Sequence, residues 1–364
     1  KEFSIGLVKD GRVLGCVPLE RQYAVLYSRD FPDTTSRSLI NPVGKTKFPE
    51  DEYIVIKRNV REATTAVSMN EAGEEISFQP DLSAKSDHHV QFKKETNDFS
   101  LFSSWTVEDG SKDCIKVSLV LNAKRDGYYS VASPKVISAE QQQLDWGLIP
   151  GYFQGRHLSD NLIVSYLYGQ GIPGYPVVVR ERTATTLASI ATLKNGLTIA
   201  AVPAPGLGRN PWDSVIHQRD WNVGLSLLSR DKRISPAVYF PILGQPSSYM
   251  RAGEEKAFDV YFVLGSEGWY QSYSYVINSL YSIKDFLDLK VASETLTDRL
   301  FGLYKYISND KLSMWRVEVY NGTKIGAQSY LGGVLGAERD AMKNADYGAM
   351  WMLTKVTGDE SLSD

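Results

Sequence analysis

The stretch Ala257-Phe-Asp-Val-Tyr-Phe-Val-Leu264 divides the chain into two parts with different sequence patterns. Its alternating large apolar residues predict a β-strand. Before this stretch, short alternating segments are separated by turn residues. After it, from Trp269 onward, apolar residues recur every three or four positions, which predicts helices. The sequence therefore predicts a mainly β fold with a C-terminal α part.

The segments on the N-terminal side predict antiparallel strands joined by tight turns. Val117, Leu119 and Leu121 alternate with polar neighbours, as expected of a strand with one buried face. Asp-Gly pairs such as 126–127 mark the turns. About a dozen such segments precede residue 265, which predicts one large antiparallel β-supersandwich. The polar residues 80–97 are predicted to be an exposed connection between its sheets.

The segments on the C-terminal side predict three helices. The first begins near Trp269, the second is capped by Thr295, and the third covers residues 341–356 and ends at Gly358. The glycine-rich residues between the second and third helices predict an ordered loop. We therefore expect a sandwich domain at 1–266, a helical linker at 267–339, and the first helix of a further domain at 340–364.

The overall composition limits the classes of partner. With 364 residues, of which 43% are hydrophobic, the chain can bury a large core. Its net charge of -3 gives no electrostatic footprint for nucleic acid, whose binding surfaces need clustered Lys and Arg. No apolar run is long enough to span a membrane. We expect neither a nucleic-acid partner nor a membrane span.

The first residues, Lys1-Glu-Phe-Ser-Ile5, enter an alternating pattern directly and lack the features of a signal peptide. We expect a periplasmic or extracellular location after removal of a leader, and a cytoplasmic location stays open. Cys16 and Cys114 lie in apolar strand patterns, where buried thiols are favoured over a disulfide.

Several familiar motifs are absent or misleading. Gly169-Gln-Gly-Ile-Pro-Gly174 matches a dinucleotide fingerprint, but Pro173 and Pro176 prevent the helix whose amides would bind a pyrophosphate. His88 and His89 are neighbours that point to opposite faces of a strand, so they cannot easily share an ion. We predict no cofactor and no metal. The absence of G-x-S-x-G, H-E-x-x-H and C-x-x-C leaves carboxylate chemistry and sugar recognition as the favoured functions.

Two loop segments combine aromatic rings with charged and polar side chains, in a chain with seven Trp and 21 Tyr. Such rings stack on the C–H faces of sugars, while carboxylates and Arg bind the hydroxyls. The predicted substrate-binding residues of the first segment are Trp146, Tyr152, Arg156 and His157. Those of the second segment are Trp212, Asp213, His217, Arg219, Asp220 and Trp221. The competing interpretation is that the tryptophans only pin their own loops onto the sheet.

Paired carboxylates would carry glycoside cleavage, one as acid and the other as base or nucleophile. Sequence spacing does not identify the pair, so no catalytic residue is assigned. The competing candidates are Asp213, Asp220, Glu318, Asp340 and Asp346.

The succession of a strand-rich domain, Ala252-Gly-Glu-Glu255 before the final strand, and Trp269-Tyr270 opening a helical linker resembles a known enzyme architecture. It is that of bacterial glycoside hydrolases in which a galactose mutarotase-like β-supersandwich precedes an (α/α)6 toroid. Asp346-Tyr-Gly-Ala-Met-Trp-Met-Leu353 is similar to an early toroid helix. The resemblance implies hydrolysis of a complex polysaccharide or oligosaccharide by carboxylate acid/base chemistry.

The same resemblance implies that the acid and base lie mostly in the toroid, as the partner domain of the same parent chain. We expect the chain to be the N-terminal part only. Two other functions stay open. A polysaccharide lyase usually has its toroid before its sandwich, and a non-catalytic carbohydrate-binding or structural module leaves the apolar helix at 341–356 unexplained.

Overall fold

The fold was determined as a computed structural model. It describes residues 4–9, 11–18, 22–32, 66–68, 73–107, 114–159, 171–174, 176–181, 184–208, 221–288, 293–309, 311, 315–328, 340–341 and 344–362.

The strands up to residue 173 are β1 Ser4–Lys9, β2 Arg12–Pro18, β3 Tyr23–Ser28, β4 Ala66–Ser68, β5 Glu74–Phe78, β6 Asp81–Lys85, β7 His89–Glu95, β8 Phe99–Val107, β9 Cys114–Ala123, β10 Gly127–Ala132, β11 Leu144–Ile149, β12 Phe153–Gly155, β13 Leu158–Ser159 and β14 Ile172–Pro173. The later strands are β15 Val177–Arg180, β16 Ser189–Leu193, β17 Thr198–Pro203, β18 Gly224–Leu228, β19 Ile234–Phe240, β20 Tyr249–Met250, β21 Glu255–Gly265, β22 Trp315–Tyr320, β23 Thr323–Gln328 and β24 Asp340–Ala341. The α-helices are α1 Trp269–Tyr275, α2 Ile283–Asp288, α3 Leu296–Ile307 and α4 Asn344–Thr357.

Two large sheets form a sandwich. The first sheet has the order β4-β15-β18-β19-β10-β3-β5, with β20 paired to β10. The second sheet has the order β12-β11-β16-β17-β21-β9-β8-β7-β6. The strand pairs within both sheets are antiparallel. The predicted class, a mainly β sandwich followed by helices, is confirmed.

The main core lies between the two sheets, because alternate residues of each strand face inward. In β9 the predicted residues Val117, Leu119 and Leu121 are buried in this core. They belong to the same core cluster as residues of the first sheet such as Tyr129 and Val131. The alternation in the sequence thus identified the buried face correctly.

Strand β21 occupies the middle of the second sheet. It pairs with β17 on one side over residues 260–265 and with β9 on the other over residues 255–263. The quoted stretch therefore does not close the sandwich at an edge. Being central explains its two apolar faces, since Phe262 faces the main core and Val263 faces the opposite side.

The prediction for residues 80–97 was wrong, because they contain β6 and β7 at one edge of the second sheet. All of β6 is exposed, and it carries charge at both ends in Asp81 and Lys85. Polar and charged residues keep an edge strand from pairing with other chains. The sequence lost its strand signal here because these strands bury little.

The outer face of the second sheet is covered by the helical segment that follows β21. Val276 is fully buried there against sheet residues such as Ile190 and Val202. The helix predicted to begin near Trp269 is interrupted. It begins as α1, continues as a π-helical turn over Val276–Leu280, and changes direction at Ser282, whose φ is 50°.

The chain divides into two compact units, residues 1–285 and 286–364. The first unit contains the sandwich together with α1 and the π-helical turn. The sequence predicts a division by role into a sandwich domain up to 266, a linker up to 339 and a further domain. That division stays a prediction.

The second unit confirms two of the predicted helix ends. Thr295 caps α3, accepting a hydrogen bond from the Asp298 amide while the Asp298 carboxylate accepts one from the Thr295 amide. Gly358 follows α4 with φ +74°, and its amide donates to the carbonyl of Thr354 at 2.8 Å.

The ordered loop predicted between these helices contains a hairpin instead. Strands β22 and β23 pair antiparallel around Asn321-Gly322, both with positive φ. Asn-Gly between alternating segments is the strongest short hairpin signal. It was present in the sequence, but the surrounding glycines favoured a loop.

Among the residues that the structure describes, no helix is both long and apolar enough to cross a membrane.

Candidate functional site

The first predicted segment begins on β11, where the chain places alternate residues on opposite sides of the second sheet. Trp146 and Leu148 face the outer cluster beneath α1, whereas Leu144 and Ile149 face the main core. Residues two positions apart on a regular strand face the same side of the sheet. A register shift between Leu144 and Trp146 allows these two residues to face opposite sides. The indole of Trp146 is thereby held on the outer face.

Trp146 is half-buried and stacks on Trp269, the first residue of α1. The ring centroids are 5.7 Å apart with an interplanar angle of 14°. A pair of this kind contributes about 0.5–1.5 kcal/mol beyond its area burial. The contact fastens the start of the helical segment to the sheet.

Three more side chains surround this pair. The Arg156 guanidinium carbon lies 5.9 Å from the Trp146 ring centroid, and Arg156 Nε lies 3.7 Å from Asp145 Oδ1. Tyr270 meets Trp269 edge to face at 5.7 Å. We call these five residues, Asp145, Trp146, Arg156, Trp269 and Tyr270, the Trp146 cluster.

The outer members of the Trp146 cluster are open to solvent. The exposed fractions are 65% and 43% for the Arg156 and Asp145 side chains and 61% for Tyr270. An ion pair this exposed contributes only about 0–1 kcal/mol to stability. The Arg156 donors, the Asp145 oxygens and the Tyr270 ring are thus available to a ligand.

The Trp146 indole nitrogen is buried and has no hydrogen-bond partner among the described residues. Trp146 is therefore a packing residue whose indole N–H makes no hydrogen bond within the described part of the chain. The structure supports the pinning interpretation for the Trp146 ring itself, and leaves ligand contact to the residues around it.

The cluster can bind but lacks the groups for glycoside cleavage. That reaction needs two carboxyl groups roughly 5–10 Å apart. Asp145 is the one carboxylate of the cluster. Within the described ranges there is also no group of three or more His, Cys, Asp or Glu residues suited to hold a metal ion.

The other two predicted residues of the first segment lie apart from the Trp146 cluster. Tyr152 packs on the main core, on the opposite side of the second sheet, with its ring 4.1 Å from that of Phe153. The His157 side chain is exposed, and its carbonyl accepts a hydrogen bond from the Ile172 amide at 2.7 Å. That bond helps to hold β13 beside β14.

The second predicted segment lies mostly outside the described residues, namely Trp212, Asp213, His217, Arg219 and Asp220. Trp221 is described and is half-buried. The two residues that follow it, Asn222 and Val223, donate their amides to Glu181 Oε1 at 2.7 and 3.2 Å.

Glu181 was not singled out in the sequence, although its side chain is buried and organises this end of the segment. Trp269 and Tyr270 were identified only as a helix start. Both kinds of contact join residues far apart in the chain, and a local pattern contains no signal for them.

Removal of the Trp146 ring gives a test of the pinning contact. We expect Trp146→Ala to lower the free energy of unfolding by about 1–3 kcal/mol, because it removes a half-buried ring and its stack. Trp146→Phe, which keeps an aromatic ring against Trp269, is expected to recover more than half of that loss. Urea unfolding of the three proteins measures the difference. Equal stability of the alanine variant and the parent would contradict a pinning role.

No family model and no curated protein matches the sequence. Solved structures do match. One is the GalM/aldose epimerase homologue from C. elegans, with 9% identity, covering 52% of this chain and 69% of that chain, and a TM-score of 0.31. Another is the GH36 alpha-galactosidase AgaA from Geobacillus stearothermophilus, with 10% identity, covering 60% of this chain and 32% of that chain, and a TM-score of 0.34.

A third match is a kojibiose phosphorylase from human microbiome, with 8% identity, covering 70% of this chain and 28% of that chain, and a TM-score of 0.28. The chain thus spans about a third of the alpha-galactosidase and less of the phosphorylase. Galactose mutarotase-like proteins and glycoside hydrolases are among its structural neighbours, as the resemblance predicted.

Proposed function

We propose that the chain is the N-terminal part of a carbohydrate-active enzyme, a glycoside hydrolase, and that its sandwich contributes a carbohydrate-binding surface. The observation that carries the proposal is the open edge of the Trp146 cluster. It offers the exposed Tyr270 ring at one end of the Trp146–Trp269 stack, and the Arg156 donors and Asp145 oxygens next to Trp146. This combination suits a sugar, whose C–H face packs on a ring while its hydroxyls exchange hydrogen bonds.

Cleavage itself is assigned to residues outside the Trp146 cluster, because glycoside hydrolysis uses two carboxyl groups and the cluster contains one. The resemblance to enzymes with a toroid supports a catalytic domain that continues from the helices after β21. We propose that the protein acts on its polysaccharide substrate in the periplasm or outside the cell.

The binding role is tested by affinity electrophoresis of the 364-residue chain in gels that contain soluble polysaccharides, both neutral and uronate-containing. We expect at least one neutral polysaccharide to retard the chain. Arg156→Ala and Tyr270→Ala are each expected to weaken this binding roughly tenfold, since each removes one direct contact.

Matched controls are available on the same domain. Arg125 is 61% exposed and also pairs with an aspartate, Asp98, at 2.9 Å. Tyr249 is an exposed tyrosine that also contacts another aromatic ring, that of Tyr128. Arg125→Ala and Tyr249→Ala are expected to bind as the parent does. Equal weakening in the controls, or binding unchanged in Arg156→Ala and Tyr270→Ala, would refute the assignment of this surface.

The reaction class is tested on the complete parent protein. A hydrolase releases reducing ends without a new ultraviolet absorbance. Release of an unsaturated product from uronate polymers would instead identify a lyase, and binding without any cleavage would favour the non-catalytic module.

A further inference from the structure

The groups of the Trp146 cluster that are open to solvent lie at its two ends. Arg156 follows the edge strand β12, and its guanidinium carbon lies 5.9 Å from the centroid of the Trp146 ring. Trp269 begins the helix that covers β11, β16, β17 and β21, and it stacks on the same ring. Because β12 and β16 are the neighbours of β11 on its two sides, Arg156 and Trp269 contact Trp146 from opposite sides.

Tyr270 lies at the far end of this arrangement. It contacts Trp269 with ring centroids 5.7 Å apart and an interplanar angle of 90°. Among the described residues it has no ring contact with Trp146. The stacked pair of indoles therefore separates the Tyr270 ring from the Arg156 donors. A single sugar ring, which is about as wide as one aromatic ring, is too short to contact both ends.

The polar end of the cluster also includes Gln154. This residue lies directly opposite Leu148 of β11, and Leu148 faces the outer cluster together with Trp146. Residues opposite each other in an antiparallel pair share one face of the sheet, so the exposed Gln154 faces outward beside Arg156. Its amide both donates and accepts, whereas Arg156 only donates and the Asp145 carboxylate only accepts. This end therefore offers every hydrogen-bonding role that sugar hydroxyls require.

The other end offers the ring. Trp146 and Trp269 are half-buried and face each other, so the stack itself occupies one face of each indole. Tyr270 is the exposed ring of the cluster and has room for the C–H face of a sugar. Stacking on Tyr270 and hydrogen bonding to Arg156 thus involve different residues of a glycan.

We propose that the Trp146 cluster contains two subsites and binds a short run of consecutive sugar residues that crosses the Trp146–Trp269 stack. One sugar residue stacks on Tyr270, and another exchanges hydrogen bonds with the polar end. The proposal rests on the proposed carbohydrate-binding function and defines the class of ligand as a neutral oligosaccharide segment. A neutral segment fits because the charge of Arg156 is already balanced by Asp145, whose carboxylate would repel an anionic sugar.

The proposal is tested by calorimetric titration of the 364-residue chain with oligosaccharides of one, two, three and six residues. They are prepared by partial hydrolysis of the neutral polysaccharide that retards the chain in the gel. We expect the affinity to rise about tenfold or more from the monosaccharide to the trisaccharide, because the longer ligand reaches the second subsite. From the trisaccharide to the hexasaccharide we expect a rise of less than about threefold, because the cluster offers no further contact.

Substitutions at the two ends distinguish two subsites from one shared site. Arg156→Ala and Tyr270→Ala are each expected to weaken trisaccharide binding roughly tenfold. For the monosaccharide, no more than one of them is expected to weaken binding by more than about twofold, since one sugar residue contacts one end. Gln154→Ala is expected to weaken trisaccharide binding about threefold. Gln91→Ala, at a half-buried glutamine on β7 of the same sheet, is the matched control and is expected to bind as the parent does.

Three outcomes would overturn the two subsites and leave the binding role intact. One is a rise of less than about threefold from the monosaccharide to the trisaccharide, and another is a hexasaccharide that binds about tenfold tighter than the trisaccharide. The third is loss of monosaccharide binding in both Arg156→Ala and Tyr270→Ala, which would mean that one sugar residue contacts both ends. If no polysaccharide retards the chain, the binding role itself fails, and the two subsites fail with it.

Discussion

Replacement of Phe262 by alanine is expected to lower the free energy of unfolding by about 3–5 kcal/mol. Phe262 is fully buried in the central strand β21, and its ring stacks on that of Trp105 at 6.1 Å with an interplanar angle of 15°. The substitution removes a large apolar surface and leaves a cavity between two sheets that cannot easily collapse. Urea unfolding followed by tryptophan fluorescence measures the change.

Leu82 provides the control for this substitution. It lies on β6 at the edge of the same sheet and is exposed. Leu82→Ala is expected to change the free energy of unfolding by less than about 0.5 kcal/mol. A loss below about 1 kcal/mol for Phe262→Ala would contradict the central, buried position of β21.

Tyr23→Phe, which removes one hydroxyl and almost no packing volume, is expected to lower the free energy of unfolding by about 2–3 kcal/mol. The Tyr23 oxygen lies 2.6 Å from Ser103 Oγ and accepts a hydrogen bond from the Trp105 indole nitrogen at 2.7 Å. Tyr23 and Ser103 are fully buried, and burial is the main reason that the Tyr23 pKa is raised. The phenylalanine variant therefore leaves two polar groups in the core without this partner.

A double-mutant cycle checks that explanation. In the Tyr23→Phe background, Ser103→Ala is expected to cost less than it does in the parent, because the serine has already lost its partner. The half-buried Tyr27, whose hydroxyl donates to the carbonyl of Asp126 at 3.3 Å, is the control. Tyr27→Phe is expected to cost less than about 1 kcal/mol. Strict additivity of the Tyr23 and Ser103 substitutions would rule out the shared network.

Local periodicity predicted which residues are buried but not which strands are neighbours. Val117, Leu119 and Leu121 were recognised because the period of two is a property of a single strand. The position of β21 between β9 and β17 depends on pairings between distant parts of the chain, which leave no local pattern. Edge strands such as β6 were missed for the opposite reason, since they bury too little to show a period.

The candidate sites follow the same rule. Sequence reasoning found Trp146 and Arg156, which lie near each other in the chain and meet in the structure. It did not find that Trp269 stacks on Trp146, nor that Glu181 accepts hydrogen bonds from the amides that follow Trp221. Each of those contacts joins separate strands or loops. Only the pairing of the strands brings them together.

The central position of β21 also sets an order of events during synthesis. During synthesis β9 and β17 are made before β21. In the second sheet, however, β21 lies between β9 and β17 and joins them. Until about the position of Gly265 has emerged, the second sheet consists of two incomplete halves with unpaired edges, which are prone to aggregation. The second sheet can therefore be completed only late in synthesis, after β21 has been made and can pair with the earlier strands β9 and β17.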